Sequence, residues 1–177
     1  MELSERIENF SWVLSDLIVD LGTSSMFYRE CVSNPDYEPF KNEYHLGQVR
    51  MCHMWAIVSL SKLCEALNGY ADELKLCCSE EVVKSSWKFK AEIETKKVYE
   101  FRSKYAAHVF DKNTNQPLDL KTGYGKFTSI VGNTPDEVME FYDWINSRVE
   151  TNDDLLAQLV KINGCLENYL GGIPSRK

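Results

Sequence analysis

Apolar residues recur along this chain at intervals of three and four, the period of a helix that buries one face. Residues 3–20 place Leu3, Ile7, Phe10, Leu14, Leu17 and Ile18 on such a stripe, and Leu21-Gly22 supplies a stop. Residues 23–35 are less regular, with a turn of helix around Phe27 and Asn34-Pro35 as punctuation. From about 37 to 67 the pattern predicts a long helix, nearly continuous in apolar residues after Met51. A helix apolar on most sides is covered on most sides, so this is the central one. Asn68-Gly69 ends it.

Ser79 caps the next helix, which the stripe Val82, Trp87, Phe89, Ile93, Val98, Phe101, Tyr105 and Val109 carries to about residue 108. Glu92 with Lys96, and Glu100 with Lys104, stand in the favourable i,i+4 order on it. Residues 110–133 hold Pro117, Gly123, Gly125 and Gly132 and read as an irregular loop. Thr134-Pro135-Asp136-Glu137 is a strong helix start: a cap, proline in the first turn and a glutamate reaching back. A last helix runs from 151 to about 169, with Asp154 placed for a second capping box and Gly171-Gly172 as its end. Nothing alternates with the period of a strand. The pattern predicts one all-α domain over residues 1–177: a bundle of about five helices, with 37–67 and 79–108 as a long antiparallel pair.

Composition adds limits. At 177 residues the chain is long enough for one well-buried core, and 44% hydrophobic residues supply it. The formal charge of -7 argues against a nonspecific nucleic-acid binder, which works by neutralising phosphates. That charge is uneven. Residues 136–154 carry Asp136, Glu137, Glu140, Asp143, Glu150, Asp153 and Asp154 against Arg148, whereas 79–108 hold seven Lys or Arg against five Glu. Any anion site belongs to the second stretch.

Cys31, Cys52, Cys64, Cys77, Cys78 and Cys165 show no CxxC spacing and read as reduced thiols. No compact carboxylate or Cys/His cluster suggests a metal, and no cofactor is expected. Gly123-Tyr124-Gly125-Lys126 lacks the preceding strand and following GK[ST] of a phosphate loop, and leaves Tyr124 as a candidate ligand or partner contact. The acidic start and the lack of a long apolar run predict a cytoplasmic protein without a membrane span.

The candidate chemistry lies in F-R-S-K-Y-A-A-H-V-F, residues 101–110. Arg102 can fork onto phosphate oxygens, and His108 can move a proton near neutral pH. On one straight helix their six-residue separation puts them on different faces, so the pair converges best when two chains meet. The expectation is therefore a homodimer built around this end of the helix. His53, among Met51, Cys52, Met54 and Trp55, reads as a hydrogen-bonded core residue, and His45 as solvent-facing.

The run Arg102-x-Lys104-x-x-Ala107-His108 resembles the end-of-helix motif of HEPN domains, closest to their abortive-infection U-like branch. The segment 59–67 resembles that branch's central helix, and the loop followed by T-P-D-E-V and Trp144 its terminal portion, over about residues 40–150. The resemblance implies an all-helical, often dimeric domain, frequently a metal-independent endoribonuclease of toxin–antitoxin or antiphage systems. It gives Arg102 the scissile phosphate and His108 the proton transfers, with Lys104, Tyr105 and Ser103 lining the RNA. The family usually has Asn, Asp or His where Ser103 stands, and serine replaces neither a carboxylate nor a second base. Members without the chemistry serve as modules binding a protein partner, such as an antitoxin, or a nucleotide. That is the alternative reading.

Overall fold

The computed structural model describes residues 2–39, 41–106, 119–149 and 153–174. It is an all-α bundle, with no strand among the described residues. The helices are α1 (Leu3–Ser33), α2 (Glu43–Gly69), α3 (Ala71–Cys77), α4 (Glu80–Thr95), α5 (Val98–Phe101), α6 (Leu120–Val131), α7 (Pro135–Ile145) and α8 (Leu155–Leu170). A π-helical turn, Arg102–Ala106, continues α5. The count exceeds the expected five because of the short α3, the division of 79–108 and the additional α6.

α1 runs straight through the expected stop at Gly22. Its apolar stripe continues beyond Leu21 to Tyr28 and Cys31. The buried Ser24 and Ser25 between them bond back to Leu21 O and Gly22 O, each at 2.9 Å. A mid-helix glycine costs only about 1 kcal/mol, less than burial of one large apolar side chain returns. The stripe therefore outweighs the glycine.

The extended α1 becomes half of the principal helix pair. Arg6 near its start bonds Gly69 O at the end of α2 (2.9 Å). Ser59 reaches Asp20 midway (3.4 Å), and Tyr28 meets His53 with ring centroids 5.3 Å apart. α1 and α2 are thus antiparallel. α8 lies along another side of α1, also antiparallel, through Ser11–Asn163 (2.8 Å) and the approach of Leu156 to Gly22. Buried Gln158 of α8 donates to Val82 O (2.9 Å) and Ser86 Oγ (3.0 Å), tying α4 into the bundle. Thus α1–α2 is the most extensive helix pair, while α2 also packs against α4 and α5 of the 79–108 segment; α1 and α8, both outside residues 40–150, contribute much of the core.

The 79–108 segment starts as expected, with Ser79 accepting from Val82 N, but it is not one helix. Lys97 is left-handed (φ 56°) and separates α4 from α5. The bend lets Val98 and Phe101 both enter the core, at 0% and 6% exposure. It also changes the charge pairing. Lys104 keeps Glu100 at 3.6 Å, but Glu92 accepts from the Trp144 indole (2.9 Å). Lys96 instead sits over the Phe141 and Trp144 rings, at 5.8 and 5.6 Å.

Part of the expected 110–133 loop is helical. Asp119 caps α6 by accepting from Lys121 N (3.0 Å) and Thr122 N (3.1 Å), so its glycines lie within or at the end of a helix. Residues 110–118 lie outside the described residues. The capping box at Thr134 and Glu137 forms as expected, with Pro135 in the first turn of α7. Asp154 is itself the cap of α8, accepting from Ala157 N (2.7 Å).

Candidate functional site

The π-helical turn stands between α2 and α6. Phe101 anchors it in the core, and Tyr105 stacks on Phe101 with centroids 5.8 Å apart and planes 18° from parallel. Gly123 of α6 is packed so closely that a Cβ there would lie 2.8 Å from the Tyr105 ring. Glycine is needed here for close approach, since its φ is unexceptional. Phe127 adds a third ring, 5.9 Å from Phe101 and 5.4 Å from His53. A row of rings thus runs from the buried imidazole to the turn.

The cations of the turn leave in two directions. Arg102 reaches α2 and pairs with Glu65 at 3.4 Å, with about 36% of its side chain exposed. Lys104 turns to Glu100, which also holds Lys126 of α6 in a short hydrogen bond. That bond, foremost, keeps the Glu100 carboxyl below the usual carboxylate range, and correspondingly raises Lys126. The Lys126 amine also lies 5.8 Å from the centre of the Tyr105 ring. The structure therefore gathers Lys104, Tyr105 and Lys126 around Glu100 and sends Arg102 to Glu65. Ser103 donates to Glu100 O (3.2 Å), which spends its hydroxyl on its own helix. His108 lies outside the described residues.

Tyr105 is half-buried in internal packing, whereas Tyr124, one residue beyond Gly123, is 68% exposed. Tyr124 is the better-presented aromatic for a stacked ligand. Sequence reasoning missed Glu65 and Lys126 because the bundle joins them to the turn across long stretches of chain. Only the Glu100–Lys104 spacing was a local signal. The straight α-helix expected from Arg102 onward is a π turn over Arg102–Ala106, which bonds i to i+5.

His53 forms a second, closed centre. It is 6% exposed, and its Nδ1 shares a 2.9 Å hydrogen bond with Tyr142 OH. Burial pushes the imidazole down to about 4, and burial likewise raises the Tyr142 phenol. Tyr28 stacks on Tyr142 at 4.3 Å. A neutral imidazole paired with a neutral phenol is what a low-dielectric interior favours. His45 is half-buried rather than solvent-facing, accepting from Glu38 N (3.1 Å) and packing beside Tyr37 and Tyr44.

An open groove of about 780 Å³ runs between α4, α6 and α7, lined in part by Lys88, Glu92, Lys96, Asn133, Glu140 and Trp144. It does not include the π-helical turn. Among the described residues no group of three or more His, Cys, Asp or Glu is placed to hold a metal, and no helix is long and apolar enough to cross a membrane.

No protein-family model matches the chain, and no curated protein matches it. Among solved structures, an integron cassette protein, Vpc_cass2, from the mobile metagenome of V. paracholerae is similar over 94% of this chain and 98% of its own, with a TM-score of 0.75 and 18% identity. At that identity the likeness concerns the fold.

Proposed function

We propose that this chain is a HEPN-like domain acting as a metal-independent endoribonuclease in a toxin or antiphage defence role within the cytoplasm. The observation that carries the reading is the state of Arg102. Its guanidinium is part-exposed on a π-helical turn, a feature often found at functional sites, and its partner Glu65 is itself 51% exposed at 3.4 Å. Such a surface pair contributes only about 0–1 kcal/mol, so an RNA phosphate accepting a forked guanidinium competes well with it. Lys104 and Lys126 add positive charge on the Glu100 side of the same turn.

In this mechanism His108 takes the proton from a ribose 2'-hydroxyl, whose oxygen attacks the adjacent phosphorus. The 5'-oxygen leaves with a proton, and a cyclic phosphate remains. Arg102 stabilises the extra charge on phosphorus during attack. We further propose that two chains supply the cleft. Met51, Trp55, Val58, Lys62 and Glu65 share one face of α2, with Met51 and Trp55 exposed at 49% and 44%. Pairing along that face would bring two Arg102 turns together at its Glu65 end.

A second reading, an inactive module that binds an antitoxin, another protein or a nucleotide, is favoured by Ser103. Its hydroxyl is committed to Glu100 O, and Glu65 and Glu100 offset much of the local positive charge. The experiment that separates the two is cleavage of single-stranded RNA in EDTA. His108→Ala should lower the rate by ~10² to 10⁴ with the fold retained, and Arg102→Ala should weaken RNA binding and cleavage together. Wild-type protein that binds but does not cut would select the module.

A further inference from the structure

The open groove between α4, α6 and α7 is walled by helix faces that the Arg102 turn does not use. On α4, Lys88, Glu92 and Lys96 recur at every fourth residue and share one face. On α7, Glu137, Glu140, Phe141 and Trp144 recur at helical spacing in the same way, and the end of α6 closes the third side. The Phe141 and Trp144 rings lie with centroids 6.3 Å apart and planes 30° from parallel. Trp144 is held in place by its indole N–H, which donates to Glu92 (2.9 Å), and is half-buried rather than enclosed. These rings already carry a cation. The Lys96 ammonium sits 5.8 Å from the Phe141 centroid and 5.6 Å from that of Trp144, and it pairs with no carboxylate among the described residues. The negative ring faces therefore hold it without an ionic partner, and Lys96 stands where a ligand cation would stand.

The charges around the groove favour the same kind of ligand. Glu92, Glu137 and Glu140 line it against Lys88 and Lys96. Glu92 serves the Trp144 indole and lies 3.9 Å from Lys88, while Glu137 accepts from Asn133 N (2.6 Å) and Thr134 N (3.2 Å) as the cap of α7. Glu140, one turn before Trp144, is exposed and has no hydrogen-bond or ion-pair partner among the described residues. An incoming phosphate would add to this excess of carboxylate. A cation would cancel it.

We propose that this groove is a docking site for a basic, arginine-bearing segment of a partner protein, one guanidinium replacing the Lys96 ammonium over Trp144 and forking onto Glu140. A guanidinium is planar, stacks on an indole, is more weakly hydrated than an ammonium, and matches a carboxylate with two parallel hydrogen bonds. At about 780 Å³ the groove exceeds one side chain and takes several residues of such a segment. Lys96 is then an internal competitor: a flexible side chain with no ionic partner to give up, which leaves the ring face when the guanidinium arrives. The groove excludes the π-helical turn, so this surface stands apart from the Arg102 site.

The test is a titration of the isotope-labelled full chain with a blocked triarginine peptide at physiological salt, read at the indole N–H signals of Trp12, Trp55, Trp87 and Trp144. Trp144→Phe identifies the Trp144 signal. The expected result is a saturable shift at Trp144 alone, with a blocked trilysine peptide binding more weakly. Lys96→Ala should tighten triarginine binding about two- to fivefold by removing the competitor. Lys84→Ala, the same charge change on α4 outside the groove, should leave it unchanged. Glu140→Gln should weaken it about two- to fivefold. The wild-type titration is decisive even where a variant folds poorly. No saturable shift at Trp144, equal shifts at all four indoles, a Lys96→Ala variant that binds no tighter, or a Trp144 signal that responds to uridine monophosphate and not to triarginine would each overturn the proposal.

Discussion

The surroundings of His53 and Arg102 show two ways in which one bundle handles polar side chains. His53 is enclosed by Tyr28, Phe127 and Tyr142, keeps a direct hydrogen bond, and is neutral because burial disfavours its charge. Arg102 keeps its charge, its solvent and an exposed carboxylate at the edge of hydrogen-bonding distance. The first arrangement specifies packing and leaves little for a ligand to gain. The second is cheap to break, as a binding group must be. For His53 the residue type is therefore a poor guide to chemistry, and the environment decides.

The larger effects lie on the His53 side. Tyr142→Ala removes a fully buried ring and the partner of His53, and should cost about 3–5 kcal/mol of stability, read by urea denaturation. The pH dependence is a slightly smaller effect. His53 titrates near its ordinary value of about 6.5 when unfolded, but at about 4 when folded. Between those values the unfolded chain binds a proton that the folded chain refuses, so stability should fall by about 3 kcal/mol as pH drops from about 6.5 to about 4. The fall should level off below that window, and His53→Gln should remove this component from a melting series.

The Arg102 side offers smaller effects on stability. Gly123→Ala drives a Cβ to 2.8 Å from the Tyr105 ring. It should cost about 1–3 kcal/mol, read by urea denaturation, while shifting the turn. Glu65→Gln should change stability by less than about 1 kcal/mol, yet strengthen RNA binding by freeing Arg102. A large stability loss in that variant would make the ion pair structural and erase the contrast.

Much of the fold was legible because it depends on local pattern. The Ser79 cap, the Thr134–Glu137 capping box and the end of α2 at Gly69 all formed where their residues predicted. Errors arose where tertiary packing overrode a local signal. Gly22 was outweighed by the stripe to Cys31, and the left-handed Lys97 broke a stripe that reads as continuous. α6 was obscured by Gly123 and Gly125, although Asp119 before Thr122 was an available cap signal. At the candidate site Arg102, Ser103, Lys104 and Tyr105 were legible as a cluster, as was the Glu100–Lys104 pair, but the long-range partners were not. Glu65 and Lys126 meet the turn only through the packing of α2 and α6 around it.

In the proposed function the Arg102 turn belongs to an acid–base ribonuclease site. The most direct measurement is the end chemistry of single-stranded RNA incubated with the full chain in EDTA. The account predicts fragments ending in 2',3'-cyclic phosphate with 5'-hydroxyl partners, formed without divalent metal. Fragments bearing 3'-hydroxyl and 5'-phosphate ends, or RNA left intact under conditions where the protein binds it, would contradict it.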